Sequence, residues 1–499
     1  MASKVFKQVG ILRPGKSVFD LSYEKKLSCD MGQLIPVMCD EMVPGDVFSI
    51  GNQALVRFQP LVAPIMHEIN MYVHYFFVPY RILWEDWENF ITGGEDGDDT
   101  SSIPEWIPAS APVTAIGTLW DFLGFPVNTD PDGAYPIDFP RRAYNFIYNE
   151  YYRAEDIIDE VDLDNWEILN RCWEKDYFTS ALLEQQRGTG PAIPIVGTTA
   201  AVWPSASFTP TGGQPNDLEV GSAVDPHIYA NTAQGAANVL AVFNGNTVDL
   251  SPATPFDIAD FRLAFQIQKW MERNNRAGAR YTEFLHSHFG ESPRDDRLQR
   301  PEYIGGTKAP IIISEVLQTS ETDTTAQGNL SGHGIGISDS FAGKYHAKEF
   351  GLVMGIMSVM PRTAYQQGIN RQWLRKNKLD FYFPEFANLS EQGIIRAEIY
   401  ANNTEADNQT LFGYQGAYDE MRVKQSMICG QFRTTFDYWH LSRQFGSAPI
   451  LNQTFLECIP RKDIFAVPSD PGLLIQFGNI IKAIRPMPYM ANPGFIDHN

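Results

Sequence analysis

The chain has 499 residues and a net charge of −21, from 39 basic and 60 acidic side chains. With 43% hydrophobic and 20% charged residues it reads as an ordinary folded protein, which excludes a disordered polymer. The acidic surplus argues against nucleic acid as a partner for the whole surface, yet a local basic face remains open to phosphate.

A single hydrophobic core usually splits beyond roughly 250–300 residues, so the length predicts several domains or one barrel with long inserted loops. Aromatic residues are abundant, with 32 Phe, 21 Tyr and 10 Trp, and large rings suit pleated strands and subunit interfaces. The five cysteines, Cys29, Cys39, Cys172, Cys429 and Cys458, form no CxxC pair. An odd number without that spacing points to buried, reduced thiols made in a cytoplasm, not to a zinc site or a secreted disulfide scaffold.

Residues 1–30 read as an N-terminal arm. The first 26 residues hold Lys4, Lys7, Arg13, Lys16, Lys25 and Lys26 against only Asp20 and Glu24, six cations less two acids, a net of +4. The opening sequence lacks the apolar stretch and cleavage pattern of a secretory signal, and no run approaches the ~20 apolar residues of a membrane helix. Residues 33–50 predict strand–turn–strand about Pro44, Gly45 and Asp46. The β-branched and aromatic runs 71–78, 350–360, 394–401 and 473–484 predict further strands. A helix is expected after an N-cap at Asp257, with Phe261, Phe265 and Trp270 on its apolar side and its end near Ala277 and Gly278; residues 157–173 read as a second helix. Strands far apart with helices inside long excursions do not alternate as in a parallel doubly wound sheet, so an antiparallel sandwich or jelly roll with insertions fits best. Between 188 and 255 the chain turns rich in Gly, Pro, Ala, Thr and Asn, as an exposed functional loop would.

Several stretches invite chemistry. His286 and His288 lack a third ligand at metal spacing and read as structural. The acidic run 95–99 misses the calcium-loop pattern and reads as a solvated loop. Gly332, His333, Gly334, Ile335 and Gly336 are not followed by a phosphate-loop Gly-Lys and read as a flexible surface turn. No nucleophile-elbow, zincin or dinucleotide motif occurs. Catalytic residues, metal ligands and cofactors are therefore not expected. The stretch 361–378 differs: Arg362, Arg371, Arg375, Lys376 and Lys378 stand without an acid, and Tyr365 and Trp373 lie among them. Rings that stack on bases beside cations that meet phosphates suit single-stranded nucleic acid; pairing with acidic loops of a neighbouring subunit explains the same residues equally well. Residues 485–499 are Pro-rich and too apolar for a free tail, so they are expected to dock on this subunit or a neighbour.

Six blocks in order along the chain give a sharper reading: PGDVF (44–48), YFFVPYRILWEDWENFITG (75–93), RAYNFIYNEYYR (142–153), FQIQKWMERNNRAGARYTEFLHSHFGESPRDDRLQRPEYIGG (265–306), AYQQGINRQW (364–373) and RPMPYMANPGFIDHN (485–499). Together they resemble the major capsid proteins of small single-stranded DNA phages, the gokushovirus branch of the Microviridae. The likeness thins between about 188 and 255.

The resemblance implies a mainly β chain, an eight-stranded antiparallel viral jelly roll with long, partly helical insertions, occupying 31–499. It implies about sixty copies in an icosahedral shell around a circular single-stranded DNA genome. Helper partners would be minor virion, scaffolding or DNA-binding phage proteins. An insertion at about 205–250 would form a surface protrusion facing a host-cell receptor. The genome-facing candidates are Lys4, Lys7, Arg13, Lys16, Arg371, Trp373, Arg375, Lys376 and Lys378. A carbohydrate-active β-sandwich enzyme remains compatible with composition alone, and a secreted glycan-binding protein is opposed by the opening sequence and the cysteine pattern.

Overall fold

The computed structural model describes residues 15–191, 258–321, 323 and 327–490, with short backbone segments at 201–202, 215–220, 228–232, 239–240 and 247–248. It separates into two compact units, residues 1–185 with 274–499, and residues 186–273.

The larger unit is built on one curled antiparallel sheet. Its strands are β1 (Ser17–Asp20), β2 (Tyr23–Cys29), β3 (Ile35–Met42), β4 (Val47–Phe58), β5 (Ile69–Pro79), β6 (Glu302–Leu317), β7 (Leu330–His346), β8 (Gly351–Pro361) and β9 (Leu473–Arg485). Both β1 and β2 pair with β9, at opposite ends of it, so they form one broken edge strand. Counted that way there are eight strands. The first pairs with the eighth, the second with the seventh, the third with the sixth and the fourth with the fifth. The order β2-β9-β4-β7 then runs into β6-β5-β8-β3 through the β6–β7 pair. A long hairpin wound on itself in this nested way is the jelly roll.

Two excursions account for most of the remaining chain. One, 80–301, leaves β5 at Pro79; the other, 362–472, leaves β8 at Pro361. Because Gly351 faces Pro79 and Pro361 faces Ile69, the excursions leave opposite ends of the barrel.

Every residue of β8 is buried. Alternation across the pleat explains this. Val353, Met357 and Val359 enter the barrel core with Val73, Tyr75 and Phe77 of β5. Their neighbours Leu352, Met354 and Ile356 meet a second core with Phe76 and Val78. The first excursion supplies the covering layer, with Trp106, Trp120, Phe139 and Tyr144. Phe139, Ala143 and Ile147 recur every fourth residue along helix α1 (Phe139–Ile147), giving it one apolar stripe. Tyr144 Oη donates to Leu34 O at 2.8 Å and accepts from Leu169 N at 3.0 Å, tying this layer to the sheet.

Three local expectations are corrected. Residues 157–173 form turns and bridges, not a helix. Side chains of the preceding helical stretch take their carbonyls: Asn145 Nδ2 donates to Leu163 and Asn165, Asn149 Nδ2 to Val161 and Arg153 to Ile158. Of the run 394–401, only Ile394 and Ile395 lie in a strand (Glu391–Ile395); a 3-10 turn follows over Arg396–Glu398. The glycines 332, 334 and 336 lie inside β7, not in a surface turn. The helix expected after Asp257 is present as α2 (Ile258–Ala277); Asp257 itself lies outside the described residues.

The smaller unit, taken by itself, holds two small antiparallel sheets. Ala201–Val202 pairs with Thr247–Val248, and Pro215–Val220, Ile228–Thr232 and Val239–Leu240 form the other.

Candidate functional site

The basic stretch 361–378 opens the second excursion, and the structure divides it into two kinds of residue. Arg371 and Arg375 point inward. Arg371 Nη1 meets Glu398 Oε1 at 2.7 Å and also donates to Gly393 O at 2.6 Å. Arg375 Nη2 meets Glu420 Oε1 at 2.5 Å, and its guanidinium lies over the Phe381 ring, 5.7 Å from the centroid. Both acids are buried, with side chains 1% and 3% exposed. Burial raises the Glu398 carboxyl above the usual range, against the opposing pull of Arg371. Arg362 pairs with Glu68 at 3.0 Å. These ion pairs join segments distant in sequence, which fixes the excursion's shape.

Trp373, Lys376 and Lys378 face outward; Trp373 is 76% exposed. Their presentation is local chemistry. Asn370 caps the turn Arg371–Trp373 by accepting from Gln372 N. Asp380 accepts from the backbone of Lys376 and Asn377, and those bonds lower its carboxyl below the ordinary value.

The N-terminal candidates divide differently. Lys4, Lys7 and Arg13 lie outside the described residues. Lys16 Nζ donates to Gly45 O at 2.8 Å. Lys25 is not a free cation: its Nζ donates to Pro36 O at 2.9 Å and to Phe122 O, and burial pulls it down to about 8. At the other terminus Arg485 pairs with buried Asp46 at 3.2 Å and donates to Glu41 O, while Tyr489 stacks on Phe19 at 5.9 Å. Residues 491–499 lie outside the described part.

His286 and His288 sit on helix α3 (Tyr281–Phe289), two residues apart and so on different faces. His288 meets Asn274 Oδ1 at 2.6 Å and His286 meets Ser292 Oγ at 3.3 Å. Among the described residues no group of three His, Cys, Asp or Glu could hold a metal ion, and no helix is long and apolar enough to cross a membrane. Cys29 and Cys458 are buried and Cys39 and Cys172 half-buried, whereas Cys429 is exposed, so the expectation of buried thiols fails there. Burial pushes the Cys172 thiol up to about 11 and that of Cys39 up to about 12.

The sequence reading passed over the buried acids Glu398 and Glu420, because nothing in a lone Glu marks it as an arginine's partner. It also passed over the apolar surroundings of Trp373. Phe381, Tyr382, Phe383, Met421, Val423 and Met427 are all exposed. The aromatic run at 381–383, stopped by Pro384, was a signal available in the sequence.

A jelly roll with strand β8 buried on both faces, and with large rings left on the outside, is an architecture shared by viral shell domains and other β proteins, so the fold sets the class and not the role. Comparison with known proteins gives the family. The model of the capsid protein (F protein) family matches residues 9–495, and the chain belongs to that family. It is 32% identical to capsid protein VP1 of Chlamydia phage 1, over 98% of this chain and 97% of that protein. It is 33% identical to capsid protein VP1 of Bdellovibrio phage phiMH2K, over 97% and 96%. Capsid protein VP1 of Spiroplasma virus 4 is 29% identical, over 93% and 92%. The chain is thus a major capsid protein of the Microviridae kind, a structural component of the virion.

Proposed function

We propose that about sixty copies of this chain close into a T=1 icosahedral shell around a circular single-stranded DNA genome, inside the host bacterium's cytoplasm. Its role is structural and not catalytic. The observation that supports this most directly is family membership over nearly the whole chain, on a sheet wound as a viral jelly roll. Many moderate interfaces repeated by symmetry would hold the shell. The acidic surplus would keep particles soluble and mutually repulsive.

In this reading the N-terminal arm, with Lys4, Lys7, Arg13 and Lys16, lines the shell and meets phosphate. The insertion at about 205–250 would stand outside, toward a host-cell receptor. Minor virion, scaffolding or DNA-binding proteins would assist closure.

The test is expression of the chain, alone and with its companion virion proteins. Particle mass is read by light scattering, and the same fraction is imaged by negative stain. Uniform closed shells of about sixty subunits are expected. A chain that stays a monomer under both conditions would refute the reading.

A further inference from the structure

We propose that the exposed aromatic and basic patch of the second excursion docks onto the acidic 84–99 segment of a second copy of this chain, head to tail. The proposal rests on the shell reading and names one of its interfaces.

The patch is continuous. Lys424 Nζ donates to Gln372 Oε1 at 3.2 Å, beside Trp373. Tyr382 packs edge-on against Tyr418 at 5.2 Å. Arg375 bridges the Phe381 ring and Glu420, the neighbour of Met421. Trp373, Phe381, Tyr382 and Met421 are thereby gathered on one exposed surface. Scattered apolar side chains on a surface are ordinary, but a cluster of Trp, Tyr, Phe and Met is the composition of an interface centre. Lys376, Lys378 and Lys424 rim it; all three are exposed and form no ion pair among the described residues.

The complement lies at the other end of the barrel. Residues 82–140 contain twelve acids and no Lys, Arg or His. Glu85, Asp86, Glu88, Glu95, Asp96, Asp98 and Asp99 are exposed, and Phe90 and Ile91 are exposed among them. The two excursions leave opposite ends of β8, whose 11 residues span roughly 35 Å at about 3.3 Å each. A contact between two basic patches would set lysine against lysine, which is unfavourable. Basic patch on acidic segment is a heterologous contact, the type that closes rings when the rotation permits. Single-stranded DNA would also suit rings beside lysines. A second copy is favoured because the same chain presents a matching surface with its own apolar centre.

The experiment uses the full chain under the conditions in which the wild type forms shells. Three variants are compared: Lys376→Glu with Lys378→Glu, Asp98→Lys with Asp99→Lys, and all four together. Each pair should lower the assembled fraction at least tenfold with an unchanged melting transition, and the fourfold variant should recover most of it. Shells from either pair at the wild-type level, or no recovery in the fourfold variant, would overturn the proposal and leave the shell reading standing. Intact shells that package less DNA in the lysine variant would assign the patch to the genome and also overturn it. A wild-type chain that never forms particles would refute the shell reading, and the proposal with it.

Discussion

At the scale of single residues, basic side chains of one short stretch do opposite jobs. Glu398 accepts from Arg371, from Ile395 N at 3.0 Å and from Tyr177 Oη at 3.0 Å. Arg371→Ala leaves that buried carboxyl without its cation and should cost about 3–5 kcal/mol, read as a lowered denaturant midpoint. Lys376→Ala and Lys378→Ala should leave the midpoint unchanged, since both are exposed. A second residue-scale case is the Glu155–Glu283 pair, held by Arg280, whose Nε lies 3.1 Å from Glu155. Burial and then the neighbouring Glu155 raise Glu283 to about 7. A raised carboxyl binds its proton more tightly in the folded chain than in the unfolded one. The stabilisation is complete below the unfolded value, near 4.5, and is lost as pH rises through about 7. Glu283 therefore contributes a falling component between pH 5 and 7.5, read as the difference between the denaturant midpoints of the wild type and Glu283→Gln, which should shrink across that range.

At the scale of elements, β7 shows what a sequence conceals. A Cβ on Gly332 would lie 2.5 Å from Ala63 O, and one on Gly334 would lie 2.7 Å from Phe58 Cγ. The glycines let neighbouring backbone and rings close over the strand, a tertiary demand with no local signature. In sequence they look like a turn. Gly332→Ala should cost about 1–3 kcal/mol by overpacking, measurable as a lower melting temperature. The buried strands β5 and β8 were legible because unbroken apolar runs between turn residues have few other homes. The stretch 157–173 was not, because its apolar spacing resembles a helix while its carbonyls are claimed by Asn145 and Asn149. The candidate site was half legible. Its cations and Trp373 stand in the sequence, but whether an arginine faces a buried acid depends on partners such as Glu398 and Glu420, which the fold brings together.

At the scale of the whole molecule, residues 186–273 form their own compact unit. Replacing 205–250 by a short flexible linker should therefore leave the barrel's unfolding transition in place, followed by circular dichroism; loss of the folded barrel would show that the insertion is part of its core. The nested winding has a further consequence for synthesis. Strand β9 lies between β2 and β4, near the two ends of the sequence. Until β9 has been made, β2 has no partner and β4 is joined only to β7, so that edge of the sheet stays open. The barrel closes only once residue 485 has emerged. A chain that stops short of β9 thus leaves β2 and one edge of β4 unpaired.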